Sequence, residues 1–147
     1  MVEVSLQVPA PADRVFAVLS DGWSYASWVV GAAHIREVDA GWPEPGTRIH
    51  HSIGTWPALV SDVTSVRSCE PGRSLELEAG MWPFGAARIR FDLAEENGGT
   101  LVRMREEVVK GPLSVLPSAA QALFLGPRNK ETLHRLADLA AHRESRN

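Results

Sequence analysis

Residues 117–147 read PSAAQALFLGPRNKETLHRLADLAAHRESRN. Small and apolar side chains recur in it at helical spacing, with Ala122, Leu125, Gly126, Leu133, Leu136, Ala137 and Ala140 on one side, an i, i+3, i+4, i+7 stripe. Asn129 is the one polar interruption, and Arg128, Glu131, Arg135, Asp138 and His142 take the opposite side. The spacing predicts a long amphipathic helix laid on something apolar. Ser118 and Gln121 stand at capping-box spacing at its start, and Gly126-Pro127 is expected to kink or split it. Nearly everything before this helix reads as strand, so the stripe is expected to lie against the apolar face of an antiparallel sheet. Ala and Gly line the first half of the stripe and fill little volume, which predicts room for a guest between helix and sheet. Leu123 and Phe124 fall off the stripe; either they line a cavity mouth or a partner surface, or the helix changes register there.

Upstream, Val2, Val4, Leu6 and Val8 alternate with polar residues as in a half-buried strand that Pro9 ends. Pro11 and Asp13 suit a first helical turn, and that helix is expected to run to about Ser20 and to bury Val15, Phe16 and Leu19. Asp21-Gly22 breaks it, and residues 23–28 make a second short turn of helix. Strands then follow at His34 to Val38, Thr47 to Ile53, Trp56 to Val66, around Leu75 to Ala79, around Ile89 to Leu93, and from Leu101 to Val109. Asn97-Gly98-Gly99 is a hairpin signal. Glu76 and Glu78 point outward on one strand and Arg88 and Arg90 on the next, so they are placed to pair across the sheet's wet face.

The chain has 147 residues, 44% of them apolar and 22% charged. That suits one ordinary globular domain over residues 1–147. No apolar run approaches the roughly 20 residues of a membrane span, so no membrane insertion is expected. The start lacks the pattern of an export signal, and a lone Cys69 excludes an internal disulfide; together these predict a cytoplasmic protein. A net charge of −3 offers no basic field for phosphates, so no nucleic-acid partner is expected.

Strand, two short helices, six more strands and a long C-terminal helix is the order of the helix-grip fold. The sequence resembles the SRPBCC or START-like superfamily, in particular its polyketide cyclase/dehydrase and lipid-transport branch. The resemblance is carried by Val8-Pro9-Ala10-Pro11-Ala12-Asp13-Arg14-Val15-Phe16, by Trp28, by Glu70-Pro71-Gly72-Arg73-Ser74-Leu75 and by Leu133-His134-Arg135-Leu136. It implies an α+β architecture in which a curved seven-stranded antiparallel sheet wraps around the last helix, with the first and last strands side by side. It also implies a deep apolar cavity for a lipid-like, polyketide-like or isoprenoid-like molecule, with no cofactor.

Among charged residues Glu106 is the most informative, because alternation puts it in phase with Val102, Met104 and Val108 on the apolar face. A carboxylate there must be paired, hydrogen-bonded or neutral, and it is a candidate to hold a ligand hydroxyl or to act as acid or base. A structural partner for it, or a path to water at the strand end, is the plainer alternative. His50 and His51 point to opposite faces and do not suit one metal ion. His51, in phase with Ile49 and Ile53, is either a second acid/base candidate or a satisfied half-buried imidazole. Asn129 faces the expected cavity, where a ligand, a water or the backbone must satisfy its amide. Asp62 is left ambiguous by its neighbours' phases.

Trp28, Trp56, Trp82, Phe84 and Phe91 offer flat apolar area, as core or as cavity wall, and the turn-rich stretches from Asp39 to Gly46 and from Met81 to Gly85 read as loops at a cavity mouth. The ligand-contacting set expected from all this is Trp28, His51, Trp56, Phe91, Met104, Glu106, Ala122, Leu125, Gly126 and Asn129. No G-x-S-x-G elbow, phosphate loop or metal-ligand spacing occurs. Three readings follow: a binder of a hydrophobic small molecule; an aromatase/cyclase-like enzyme using Glu106, with or without His51; and a protein-interaction domain whose cavity has collapsed. Ligand identity and oligomeric state are not legible.

Overall fold

The computed structural model of the protein describes residues 1–30, 34–53, 60–80 and 85–144. Strand β1 (Val2–Val8) leads into helix α1 (Ala12–Leu19), a 3-10 turn at Gly22–Ser24 and the one-turn helix α2 (Tyr25–Trp28). Strands β2 (His34–Val38), β3 (Arg48–Ile53), β4 (Val60–Glu70), β5 (Ser74–Gly80), β6 (Ala86–Glu96) and β7 (Gly99–Lys110) follow, then a second 3-10 turn at Pro112–Val115 and helix α3 (Ser118–Glu144). The seven strands form one antiparallel sheet in the order β1-β7-β6-β5-β4-β3-β2. The first and last strands are therefore neighbours, with Val2 opposite Glu106 and Val8 opposite Thr100.

Local chemistry explains the turns. Asn97 and Gly98 both have positive φ, 53° and 78°, the geometry that lets a two-residue turn follow the right-handed twist of its strands. Shifts of register between Val66 and Ser68 and between Ala86 and Ala87 add bend to long strands, and the sheet curls toward α3. Its outer face is charged. Glu76 stands opposite Arg90 and Glu78 opposite Arg88, as the alternation predicts. The ion pairs nevertheless run elsewhere: Glu78 lies 3.6 Å from both Arg67 and Lys110, while Arg90 and Arg105 close on Asp92 at 3.1 and 3.2 Å.

The inner face is apolar, built from Val4, Val8, Leu75, Leu77, Phe91, Val102 and Met104, and α3 packs onto it through Leu133, Leu136, Ala137 and Ala140. A smaller cluster of Val2, Val108 and Leu125, with Leu113 beside it, seals the start of the helix. In α1 the fully buried side chains are Val15, Val18 and Leu19, whereas Phe16 is only half-buried. Trp42, Tyr25, Trp28 and Phe91 form an aromatic chain with successive ring centroids 5.6, 4.5 and 5.9 Å apart. It links the loop after β2, through α2, to the sheet. Cys69 is half-buried and burial pushes its thiol up, which suits a packing role.

Three expectations for α3 need correction. The helix runs unbroken for 27 residues through Pro127, so Gly126-Pro127 does not split it. Ser118 and Gln121 do not make a capping box. Gln121 is buried, accepting from the Val108 N–H at 3.2 Å and donating to the Leu116 carbonyl at 3.0 Å. With its amide satisfied, Gln121 takes the inward position, and the buried positions run 121, 125, 129, 132, 133, 136, 137 and 140. Ala122, one residue further round the helix, is exposed. Gly126 is half-buried, with nothing within 4 Å of where its Cβ would stand. Ala122 therefore presents nothing to the interior, while the space beside Gly126 is open. Leu123 and Phe124 are surface residues, 81% and 40% exposed.

Candidate functional site

A cavity of ≈ 60 Å³ lies between the sheet and the helices. Its floor is Thr64 of β4, Leu77 and Ala79 of β5, Ile89 and Phe91 of β6 and Met104 of β7. Tyr25, Trp28 and Val29 form one wall, and Arg128 and Thr132 of α3 close the top. Period-2 alternation delivers the floor residues to one face. Helical spacing delivers Arg128 and Thr132 one turn apart. The seam between α2 and α3 is closed at Val30, whose N–H donates to Thr132 Oγ1 at 3.1 Å and whose carbonyl accepts from Arg128 Nε at 3.0 Å.

Of the residues expected from sequence, Trp28, Phe91 and Met104 line this cavity. Leu125 is buried one step away in the smaller cluster, Ala122 points to solvent, and Gly126 faces open space. Trp56, Trp82 and Phe84 lie outside the described residues. Arg128 was expected on the solvent side of α3; its long side chain instead reaches back over the cavity to Val30. Tyr25, Val29, Thr64, Leu77, Ala79, Ile89, Arg128 and Thr132 stood outside the expected contact set. Alternation offered Leu77, Ala79 and Ile89 to the apolar face, and Thr132 sits three residues after Asn129 on the buried face of the helix.

Glu106 is 1% exposed, and among the described residues neither of its carboxylate oxygens has a hydrogen-bond partner. Asn129 is equally buried, and both polar atoms of its amide are also unpartnered. Buried polar groups without partners are rare and costly, so neither residue is explained by structure alone.

His50 and His51 point to opposite faces, as expected of strand neighbours. His50 Nε2 is 2.9 Å from Asp39 Oδ1, and together with Arg48 it holds that carboxyl below its usual range. His51 Nε2 shares a hydrogen bond with Thr64 Oγ1 at 3.1 Å, so it touches the cavity through Thr64. Asp62 stands opposite His51. Burial pushes the His51 imidazole below its ordinary value, against the pull of the Asp62 carboxylate.

The sign of the linkage follows from that depression. As pH falls through about 6.5, the unfolded chain takes up a proton before the native His51 does, and stability declines until the native pKa is passed. Between about pH 7 and 5, unfolding midpoints in urea should therefore fall less steeply for His51→Gln than for the parent chain. Parallel profiles would mean that His51 is not held neutral.

The sheet does not bring His51 and Glu106 together, since β4, β5 and β6 lie between their strands. Among the described residues no three His, Cys, Asp or Glu side chains converge as metal ligands, and no helix is long and apolar enough to cross a membrane.

A curved antiparallel sheet closed by a C-terminal helix over an internal cavity defines the SRPBCC, Bet v1-like class. Residues 1–141 match the family model described as polyketide cyclase / dehydrase and lipid transport, and the chain belongs to that family. A comparison with curated proteins finds no match. Among solved structures, protein NE0264 from Nitrosomonas europaea is similar with a TM-score of 0.74 at 11% identity, over 98% of this chain and 96% of its own. Ara h 8.0201 is similar with a TM-score of 0.70 at 12% identity, over 96% and 97%. The di-domain ARO/CYC StfQ from the steffimycin biosynthetic pathway has a TM-score of 0.73 at 14% identity, over 98% of this chain and 51% of that one. At these identities the likeness is one of fold.

Proposed function

We propose that this protein binds a hydrophobic small molecule, of lipid, polyketide or isoprenoid kind, between the sheet and α3, and that it does so in the cytoplasm. The observation that carries the reading is the cavity itself, with mostly aromatic and aliphatic walls and polar side chains at Thr64, Arg128 and Thr132. Membership of the family supports it.

A volume of ≈ 60 Å³ suits a few waters, whereas pockets for drug-sized ligands start at about 300 Å³. The guest therefore opens the site. One wall is α2, four residues long, held to α3 through Val30 and to the sheet through Trp28.

Ala79 is the smallest side chain on the floor, so Ala79→Leu fills the space without removing a contact. The parent chain should take up a neutral dye such as N-phenyl-1-naphthylamine at one site. Ala79→Leu should bind it about tenfold more weakly, a loss of ~1.4 kcal/mol, with its unfolding midpoint unchanged or raised. Equal uptake by the two proteins would remove the cavity from the reading.

The cyclase-like alternative has the unpaired Glu106 carboxylate in its favour. It lacks a second acid or base on a neighbouring strand, since His51 is on β3. The interaction-domain alternative rests on the exposed Leu123 and Phe124, and dye uptake that Ala79→Leu blocks counts against it.

A further inference from the structure

Glu106 and Asn129 lie at the same level of the molecule. In the sheet, Glu106 is flanked by Val2 on β1 and Ile89 on β6. Val2 packs with Leu125 of α3, and Ile89 lines the cavity together with Arg128 and Thr132 of the same helix. The carboxylate is therefore under the helical turns from 125 to 132, where Asn129 and Thr132 are the buried polar residues and Thr132 already accepts from the Val30 N–H. The two side chains do not bond to each other, and all four of their polar atoms are buried without a partner among the described residues. Each lacks a polar partner, and neither is among the residues lining the cavity of ≈ 60 Å³; they adjoin it through Ile89 and Thr132.

Resting on the binding reading above, we infer that Glu106 and Asn129 form a polar subsite for a hydroxyl group, so that the guest is an apolar molecule bearing an alcohol or phenol. The donor and acceptor inventory selects this chemistry. A carboxyl group accepts and, when protonated, also donates, while the Asn129 amide offers an NH₂ donor and a carbonyl acceptor. A hydroxyl both donates and accepts, so it can bridge Glu106 and Asn129 in either protonation form of Glu106, whereas a carbonyl only accepts and leaves an ionised Glu106 unpaired. An ammonium would suit an ionised Glu106, but bringing it into so dry a site costs far more in desolvation than bringing a hydroxyl.

The test uses two guests of nearly equal shape, 2-naphthol and 2-methylnaphthalene, titrated calorimetrically into the full chain and into Asn129→Leu and Glu106→Leu. The parent chain should prefer 2-naphthol by about tenfold, although the methyl compound is the more apolar, because one to two hydrogen bonds separate them. Each variant should lose that preference while binding 2-methylnaphthalene as tightly as the parent or more so. Circular dichroism of each variant confirms that it is folded, and Asn129→Asp, which keeps shape but removes the donor, replaces Asn129→Leu if that protein does not fold.

Equal affinities in the parent chain would overturn the subsite and leave the apolar-binding reading standing. A naphthol preference that survives in the variants would likewise overturn it and assign the two side chains to a buried water. If neither guest binds while the dye does, the subsite is lost and only the binding reading survives. If nothing binds, both are lost.

Discussion

Trp28→Ala should cost about 3–5 kcal/mol of folding stability, the range for truncating a fully buried aromatic. Trp28 is fully buried, its ring contacts Tyr25 and Phe91 at centroid distances of 4.5 and 5.9 Å, and its Nε1 donates to Ser24 Oγ at 3.0 Å. One substitution thus removes an aromatic link between α2 and the sheet, breaks a hydrogen bond and leaves a void next to the existing cavity. Trp23, five residues earlier and 59% exposed, is the internal comparison, and Trp23→Ala should move stability by less than about 0.5 kcal/mol. Urea unfolding reads both. A loss below about 1 kcal/mol at Trp28 would mean that α2 is not anchored to the sheet through this ring.

Glu106→Leu should act in the other direction and raise the stability of the guest-free protein by about 1–3 kcal/mol at neutral pH, the penalty of a buried polar group left unsatisfied. Leucine matches the apolar surroundings set by Val2, Ile89, Met104 and Val108. The competing account, a structural ion pair, makes the opposite forecast, because breaking such a pair costs roughly 3–5 kcal/mol. The sign of the change in urea midpoint decides between them. A stabilised variant that has also lost the preference for 2-naphthol would tie the destabilising carboxylate to ligand binding, the stability–function trade-off found at binding sites.

Glu106 was legible in the sequence because alternation runs unbroken on both sides of it, through Val102, Met104 and Val108. Asn129 was legible because helical spacing put it among leucines. The strand order of β1 and β7 followed from resemblance, and the register of Val2 against Glu106 agrees with it. The first half of α3 was misjudged. Gln121 looks like a surface or capping residue, yet its amide is satisfied by the Val108 N–H and the Leu116 carbonyl, and those partners come from a strand end and a turn whose placement no local pattern reveals. Once Gln121 faces inward, Ala122 must face out. Arg128 was misjudged for a related reason, since a long side chain rooted near the edge of a helix face can fold back over it. Its partner, the Val30 carbonyl, is nearly a hundred residues away in the chain. Asp62, undecided from its neighbours, is placed by its pairing with His51.

The pairing of β1 with β7 also dictates an order of assembly. Val2 meets Glu106 and Val8 meets Thr100, so on the ribosome β1 is made roughly a hundred residues before the strand it hydrogen-bonds to, several seconds at ordinary rates of synthesis. During that interval β2 to β6 can form their sequential hairpins, while β1 has no partner. Closing so long a loop is entropically slow, and chains dominated by distant contacts fold in milliseconds to seconds rather than microseconds. Helix α3 is made after all seven strands, and it covers the β1–β7 seam through Leu125 against Val2 and Val108. The cavity between sheet and helix thus comes into being only after α3 has emerged, and until then a nascent chain has no enclosed space there.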